Sequence, residues 1–282
     1  MLYVVATPIG NLGDMSPRAI EVLKSVALIA AEDTRMTMKL TQRFGIETPL
    51  TSCHRHNEQG KAESIVRRML EEGIDVAVVT DAGTPAISDP GTILVRQAAE
   101  AGIEVVAVPG PSAMAAAMSV SGIDVTEFTF LGFLPREKKD LHAAQRTQAG
   151  IVHESPYRVL DFMRVLADTL PQAYVSVSCD LSKLHELTLR GPVADVLARM
   201  QANEKTEKGE YCIVIDFRTV PREEPKAEST LCLEARLLDL LLQGADMRDA
   251  SRRLVEEGEK KNAVYAAALR LKGMLREEEM EE

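Results

Sequence analysis

The segment Asp81-Ala82-Gly83-Thr84-Pro85-Ala86-Ile87-Ser88-Asp89-Pro90-Gly91 combines small residues with side-chain oxygens at Thr84, Ser88 and Asp89. Small residues let the backbone approach a ligand, and the oxygens can fix its polar groups. The apolar run Val76–Val79 precedes the segment and reads as a buried strand. In α/β proteins, small molecules bind in loops at the carboxyl ends of strands. Two other loops share this character. Thr7-Pro8-Ile9-Gly10-Asn11 follows the strand-like Leu2–Ala6, and Val108-Pro109-Gly110-Pro111-Ser112 follows Val105–Val108. Three strand ends that open into Gly/Pro loops within 112 residues predict one shared cleft.

The elements that must position these loops alternate. Strand-like runs at 28–31, 49–53, 76–80 and 104–108 are separated by helical patterns at 36–44, 58–72 and 92–101. Ser16-Pro17 opens an earlier helix, with serine at the N-cap and proline in the first turn. This βαβα order predicts a mainly parallel sheet covered by helices. From Ser112 the pattern changes. A small-residue helix over 113–120 is followed by strands near 128–133, 151–152, 175–178, 187–189 and 211–217, with helices at 157–168 and 193–202. Shorter, less regular connections predict a mixed sheet. The expected organisation is an α/β domain over 1–112, a second over 113–217, a charged linker at 218–229 and a helical module over 230–276. Three short helices with tight turns suit either a helix-turn-helix unit or a small packing or dimer module.

Composition bounds the function. The chain has 282 residues, enough for two modest domains with proper cores, and a formal net charge of -10. An acidic body is no general polyanion binder, so any nucleic-acid contact must be a local basic patch. Cys53, Cys179, Cys212 and Cys232 are scattered without C-x-x-C pairing, which points to mostly buried thiols in a reducing compartment, and no metal site is expected. No basic segment precedes the apolar residues 2–6, Pro8 and Gly10 end the run, and no apolar stretch approaches ~20 residues. A cytoplasmic protein with no membrane association is expected.

Eight segments in order carry a family resemblance. They are Thr7-Pro8-Ile9-Gly10-Asn11-Leu12, Ala31-Glu32-Asp33-Thr34-Arg35, His56-Asn57-Glu58, Asp81 to Gly91, Val108-Pro109-Gly110-Pro111, Gly132-Phe133-Leu134-Pro135, Glu154-Ser155-Pro156-Tyr157-Arg158 and Lys208-Gly209-Glu210. With them the chain resembles the small-subunit (16S) ribosomal RNA cytidine 2′-O-ribose methyltransferases of the tetrapyrrole (corrin/porphyrin) methylase superfamily. The resemblance implies two α/β domains with S-adenosylmethionine in the cleft between them, and a homodimer. The implied substrate is a cytidine ribose in the decoding region of 16S ribosomal RNA, free or within the small ribosomal subunit. Two other readings share the cofactor fold: a methylase of a corrin or porphyrin precursor, and a non-catalytic RNA-binding member. The chain departs from the pattern at Cys179-Asp180-Leu181-Ser182-Lys183, where Arg-Glu-Leu-Thr-Lys is usual, at His153, where tyrosine is usual, and in a short segment after Pro135.

With that resemblance, the cofactor is expected against Pro8, Asp81, Ala82, Gly83, Thr84, Ile87, Ser88, Ser112 and Ala113. Ser112 and Ala113 begin a helix whose free N–H groups favour an anion such as the methionine carboxylate. Glu154 can act as base, position the acceptor hydroxyl, or serve a capping network. Asp33 and Arg35 form either an internal ion pair or a phosphate contact, and Asp33 stands with Glu154 and Lys183 as a catalytic candidate for the base. Lys183 contacts phosphate, lowers the acceptor's pKa, or is solvated. His56, Asn57 and Glu58 form a polar cluster before a helix, with Asn57 also suited to an N-cap. Arg158 and the basic run Arg136, Lys138, Lys139 and Arg146 are the remaining RNA candidates. Sugar entry is expected from the side of Arg35, Asn57 and Glu154.

Overall fold

A computed structural model of the chain describes residues 1–134, 147–220, 232–256 and 258–278. The chain divides into two compact units, residues 1–221 and 222–282.

The first unit opens with β1 (Leu2–Val5), α1 (Pro17–Ser25), β2 (Leu28–Ala31), α2 (Thr34–Phe44), β3 (Leu50–Ser52), α3 (Glu58–Glu72), β4 (Val76–Val79), α4 (Thr92–Glu100) and β5 (Val105–Val108). The strands form a five-stranded parallel sheet in the order β3-β2-β4-β1-β5. Strands buried on both faces must be apolar throughout. Accordingly Leu2, Leu28, Ala30, Val76 and Val78 pack with Ala62, Ile65 and Met69 of α3 and Leu94 and Ala98 of α4. Alternate residues Val5, Ile29, Ala31, Ala77 and Val79 point the other way, onto Ala19 and Leu23 of α1 and Leu40 and Phe44 of α2. Ser16 Oγ caps α1 by accepting the Ala19 N–H at 3.1 Å. The parallel sheet that the alternation predicts is the one that forms.

Strand order has a consequence for the loops. β1 lies between β4 and β5, all parallel, so their carboxyl ends lie side by side. The three Gly/Pro loops leave from one edge.

The unit continues with α5 (Ala113–Ser121), β6 (Phe128–Phe133), β7 (Ala149–Glu154), α6 (Val159–Thr169), β8 (Tyr174–Cys179), β9 (Leu187–Pro192), α7 (Val193–Gln201) and β10 (Tyr211–Asp216). These strands order as β6-β7-β10-β8-β9. Only β6 and β7 run parallel, which gives the expected mixed sheet. One face packs Phe162, Met163 and Leu166 of α6 with Val193, Val196 and Met200 of α7. The other packs Ala117 of α5 against Ile151, Cys212 and Val214. The expected division at 112/113 falls between β5 and α5.

The second unit holds α8 (Leu233–Leu242), α9 (Met247–Glu256) and α10 (Lys261–Glu278) around Leu237, Ala250, Leu254, Val264, Ala267 and Leu271. Arg236 pairs with Glu259 at 2.5 Å and Arg270 with Glu234 at 2.6 Å, tying the helices across their polar edges. The expected linker at 218–229 lies outside the described residues from 221 onward. Among the described residues no helix is long and apolar enough to cross a membrane.

Candidate active site between the two sheets of the first unit

The loops after β1 and β4 are joined by two backbone hydrogen bonds: Thr7 N–H donates to Gly83 O at 2.9 Å, and Gly83 N–H to Thr7 O at 3.0 Å. Thr7 Oγ1 also donates to Thr80 O at 3.0 Å. Thr84 Oγ1 donates to Pro111 O at 3.3 Å, bringing in the loop after β5. Gly83 has φ +87°, and a Cβ on it would lie 3.6 Å from Ile9 and 3.9 Å from Pro111 O. Gly110 lets the third loop press on Ala6, where a Cβ would come to 3.0 Å. The three loops meet, as their shared strand edge requires.

They wall a cavity of about 480 Å³. Of the residues expected at the cofactor, Asp81, Ala82, Gly83, Thr84, Ile87, Ser88, Ser112 and Ala113 line it. Pro8 is buried, and its neighbour Ile9 lines the cavity in its place. The long loop holds its shape through Ala86 and Ser88, both in the left-handed region at φ 66° and 68°. Ala86 N–H donates to Pro90 O at 3.1 Å. Arg55 from the loop before α3 donates to Ser88 O at 3.0 Å. Buried Glu58 accepts the N–H groups of Gly91 at 2.9 Å and Ile93 at 2.8 Å, so its carboxylate caps α4.

Carboxylates line one side of the cavity. Thr80 Oγ1 donates to Glu32 Oε2 at 2.5 Å, and Asp81 N–H donates to the same oxygen at 3.3 Å. Asp33 N–H donates to Asp81 Oδ1 at 3.2 Å. Asp89 also faces the cavity. Burial, with Glu32 nearby, pushes the Asp89 carboxyl up to about 6 and raises Asp81 as well. Among the described residues no lysine or arginine lines this space. The described lining therefore carries acidic side chains without a lysine or arginine to balance them.

The opposite wall comes from the second sheet. Register places Tyr211 at the start of β10 beside Glu154 at the end of β7, and Cys212 beside His153. The Glu154 side chain is fully buried. Its Oε1 accepts the Ser155 N–H at 2.9 Å and its Oε2 lies 3.1 Å from Arg158 Nη2. The same Arg158 nitrogen donates to Leu134 O at 2.9 Å. The His153 ring meets Phe130 and Phe133 edge-on at 5.1 and 5.6 Å. Burial holds the imidazole below its ordinary pKa, hence neutral at pH 7.

The other expected residues lie outside the cavity lining. Asp33 caps α2, and the exposed Arg35 binds its carboxylate through both Nε at 3.0 Å and Nη2 at 2.7 Å. That hydrogen-bonded guanidinium holds Asp33 at about 2. Asn57 Oδ1 accepts the His54 N–H at 2.8 Å, and His56 is exposed with its ring 6.1 Å from that of His54. Lys183 Nζ reaches Asp180 and Glu210, both at 2.8 Å, and clamps the turn that carries the departures at 179–183. Arg136, Lys138, Lys139 and Arg146 fall outside the described residues. The lining residues that the sequence did not single out for a site include Glu32, Thr80, Met114, Phe130, Leu181, Glu210 and Tyr211. Glu32 and Glu210 stand inside the family-like motifs, which is their only signal in the sequence.

Residues 1–197 match the family described as Tetrapyrrole (Corrin/Porphyrin) Methylases. This chain belongs to that family. Curated relatives extend the similarity through the helical unit. Ribosomal RNA small subunit methyltransferase I of Pseudomonas aeruginosa is 41% identical over 280 residues, covering 96% of this chain and 98% of that protein. The protein of the same name from Synechocystis is 44% identical over 264 residues, covering 91% and 92%. Among solved structures, cobalt precorrin-4 methyltransferase aligns with TM-score 0.56 at 18% identity, covering 78% of this chain and 96% of its own. Uroporphyrin-III C-methyltransferase from Thermus thermophilus, complexed with S-adenyl homocysteine, aligns with TM-score 0.54 at 15% identity, covering 76% and 96%. Those two likenesses concern the fold.

As a member of this methylase family the chain is a methyltransferase, and its cofactor is S-adenosylmethionine. The cavity fits such a molecule on its own terms. The glycine at 83 leaves the wall free of a side chain where three loops meet, and the carboxylates suit a cationic ligand.

Proposed function

We propose that the protein transfers a methyl group to the 2′-hydroxyl of a cytidine ribose in the decoding region of 16S ribosomal RNA, working as a cytoplasmic homodimer. The observation that carries this reading is the similarity to rRNA small-subunit methyltransferases along nearly the whole chain, including the helical unit. A buried carboxylate on the wall opposite the cofactor loops supports a hydroxyl acceptor.

Bound in the cavity, S-adenosylmethionine supplies an electrophilic methyl carried on a positively charged sulfur. The chain's own groups do the rest. The loop 81–88 with Ile9, Ser112 and Ala113 orients the donor; alignment of reacting groups is worth up to ~7–11 kcal/mol. Glu154 takes or holds the proton of the sugar hydroxyl. Phe130 and Leu181 give that wall apolar surface. Arg35, His56, Asn57, Arg158 and Lys183, with Arg136 from outside the described residues, are the groups proposed to contact RNA. Mapping ribose methylation in small-subunit RNA from a strain lacking this gene tests the assignment. One cytidine is expected to lose its 2′-O-methyl group and regain it on complementation. An unchanged map would dismiss the reading.

The acidic wall makes cofactor binding pH-dependent. Asp89 sits among Glu32, Asp81, Arg55 and Thr80, and its carboxyl titrates near 6. A carboxyl raised in the folded state is mostly protonated below that value and ionised above it. Stability of the ligand-free protein therefore falls as pH rises through this range, while attraction for a cation grows. The thermal shift given by S-adenosylmethionine is expected to increase between pH 5 and 7. The shift from S-adenosylhomocysteine, which lacks the sulfonium charge, should change much less. Parallel shifts for the two ligands would show that the carboxylates do not sense that charge.

A further inference from the structure

The helical unit carries a groove of about 430 Å³ lined by Arg248, Ser251, Arg252 and Val255 of α9 and by Lys261, Asn262, Val264 and Tyr265 of α10. The spacing explains the grouping. Residues 248, 251, 252 and 255 fall at i, i+3, i+4 and i+7, one stripe of a helix; 261, 264 and 265 fall at i, i+3 and i+4. The two stripes form the walls of the groove. The cations of this unit fall into two groups, those held in ion pairs and those left to solvent. Arg236 and Arg270 are engaged by Glu259 and Glu234 between helices. Arg252 is held by Asp249 at 2.9 Å and, more loosely, by Glu256 at 3.9 Å. Arg248 and Lys261 are exposed, and among the described residues neither has a carboxylate within ion-pair distance. Beside them Tyr265 stands 68% exposed. A large aromatic left in water next to uncompensated cations forfeits burial energy that the small core of this unit could have used.

We propose that this groove binds a single-stranded segment of RNA, with Arg248, Arg252 and Lys261 on phosphates and Tyr265 stacked on an unpaired base. Arg248 and Lys261 can neutralise phosphates directly and Arg252 by exchanging Asp249 for one, with release of counterions, and an exposed aromatic offers a stacking platform that duplex RNA, its bases already stacked, does not use. The proposal rests on the reading of the protein as an rRNA methyltransferase. It adds a second RNA-binding surface on a unit other than the one that holds the cofactor. The net charge of -10 sharpens the argument, because the rest of the molecule repels a polyanion and affinity must come from such local patches.

The test uses the full chain and a short single-stranded RNA of mixed sequence, followed by fluorescence anisotropy across a salt series. Arg248→Ala/Lys261→Ala is expected to weaken binding and to reduce the slope of log affinity against log salt by about 1.4, at ~0.7 for each phosphate no longer neutralised. Tyr265→Ala should weaken binding about tenfold with the slope unchanged, as removal of base stacking does. All three side chains are exposed, so the melting temperature and S-adenosylhomocysteine affinity should match the parent and report an intact fold. RNA affinity and salt slope equal to the parent's in both variants would overturn the proposal, and would leave the groove to a protein partner. A wild-type chain that binds RNA through this groove yet methylates no ribose would sink the proposed function and spare the groove. A chain that methylates normally with both variants at full affinity would do the reverse.

Discussion

Replacing Gly83 with valine is expected to abolish cofactor binding while leaving the protein folded. Gly83 sits at φ +87°, where a β-branched residue is strained by about 1–3 kcal/mol. It also exchanges two hydrogen bonds with Thr7, so the backbone cannot relax without separating the first and second loops. The new side chain would enter the seam between Ile9 and Pro111, on the cavity wall. Strain and lost space both act against the bound state, and affinity for S-adenosylhomocysteine should fall about 100-fold or more, at ~1.4 kcal/mol per factor of ten. Gly73→Ala supplies the control. Gly73 ends α3 at φ +65° with nothing within 4 Å of an added Cβ. That variant bears comparable backbone strain and should lower the melting temperature but keep its cofactor affinity. Titration calorimetry on both decides the matter. Wild-type affinity in the Gly83 variant would mean that the ligand does not lie against this loop.

Much of this architecture was legible because the signals are local. Val76–Val79 and Val105–Val108 are runs too short for helices and too apolar for loops, and Gly45 and Gly73 stop helices where the pattern stops. Motif order then named the family. The sequence predicts one shared cleft for the three loops but not the strand order that makes it. No local pattern states that β1 lies between β4 and β5, yet that order alone makes three separate loops one wall. Glu58 illustrates the same limit. It reads as a polar residue at the start of its own helix, but its carboxylate caps a different helix 33 residues away at Gly91. Glu210 and Tyr211 reach the cavity only because β10 pairs with β7 in a register that sets Tyr211 against Glu154. Ala86 and Ser88 adopt positive φ without being glycine, which composition gives no reason to expect.

Glu154→Gln is expected to reduce turnover by about 10²–10⁴-fold, the usual contribution of a general base, with cofactor affinity retained. The amide keeps the size of the carboxylate and can still accept the Ser155 N–H, so the wall should hold its shape. A competing explanation for lost activity is structural, because Glu154 also pairs with Arg158. Breaking a fully buried pair costs ~3–5 kcal/mol, but Arg158 is 27% exposed and can turn toward solvent, so the cost here is smaller. The double variant Glu154→Gln/Arg158→Gln separates the two explanations. If Glu154 serves only to balance Arg158, removing both charges restores turnover, since neither partner is left alone. If its carboxylate receives the hydroxyl proton, the double variant stays as slow as the single one. Turnover measured at saturating cofactor and RNA, alongside melting temperatures, distinguishes these outcomes. Full activity in the single variant would remove Glu154 from the chemistry and direct attention to the neutral imidazole of His153, which shares the same wall.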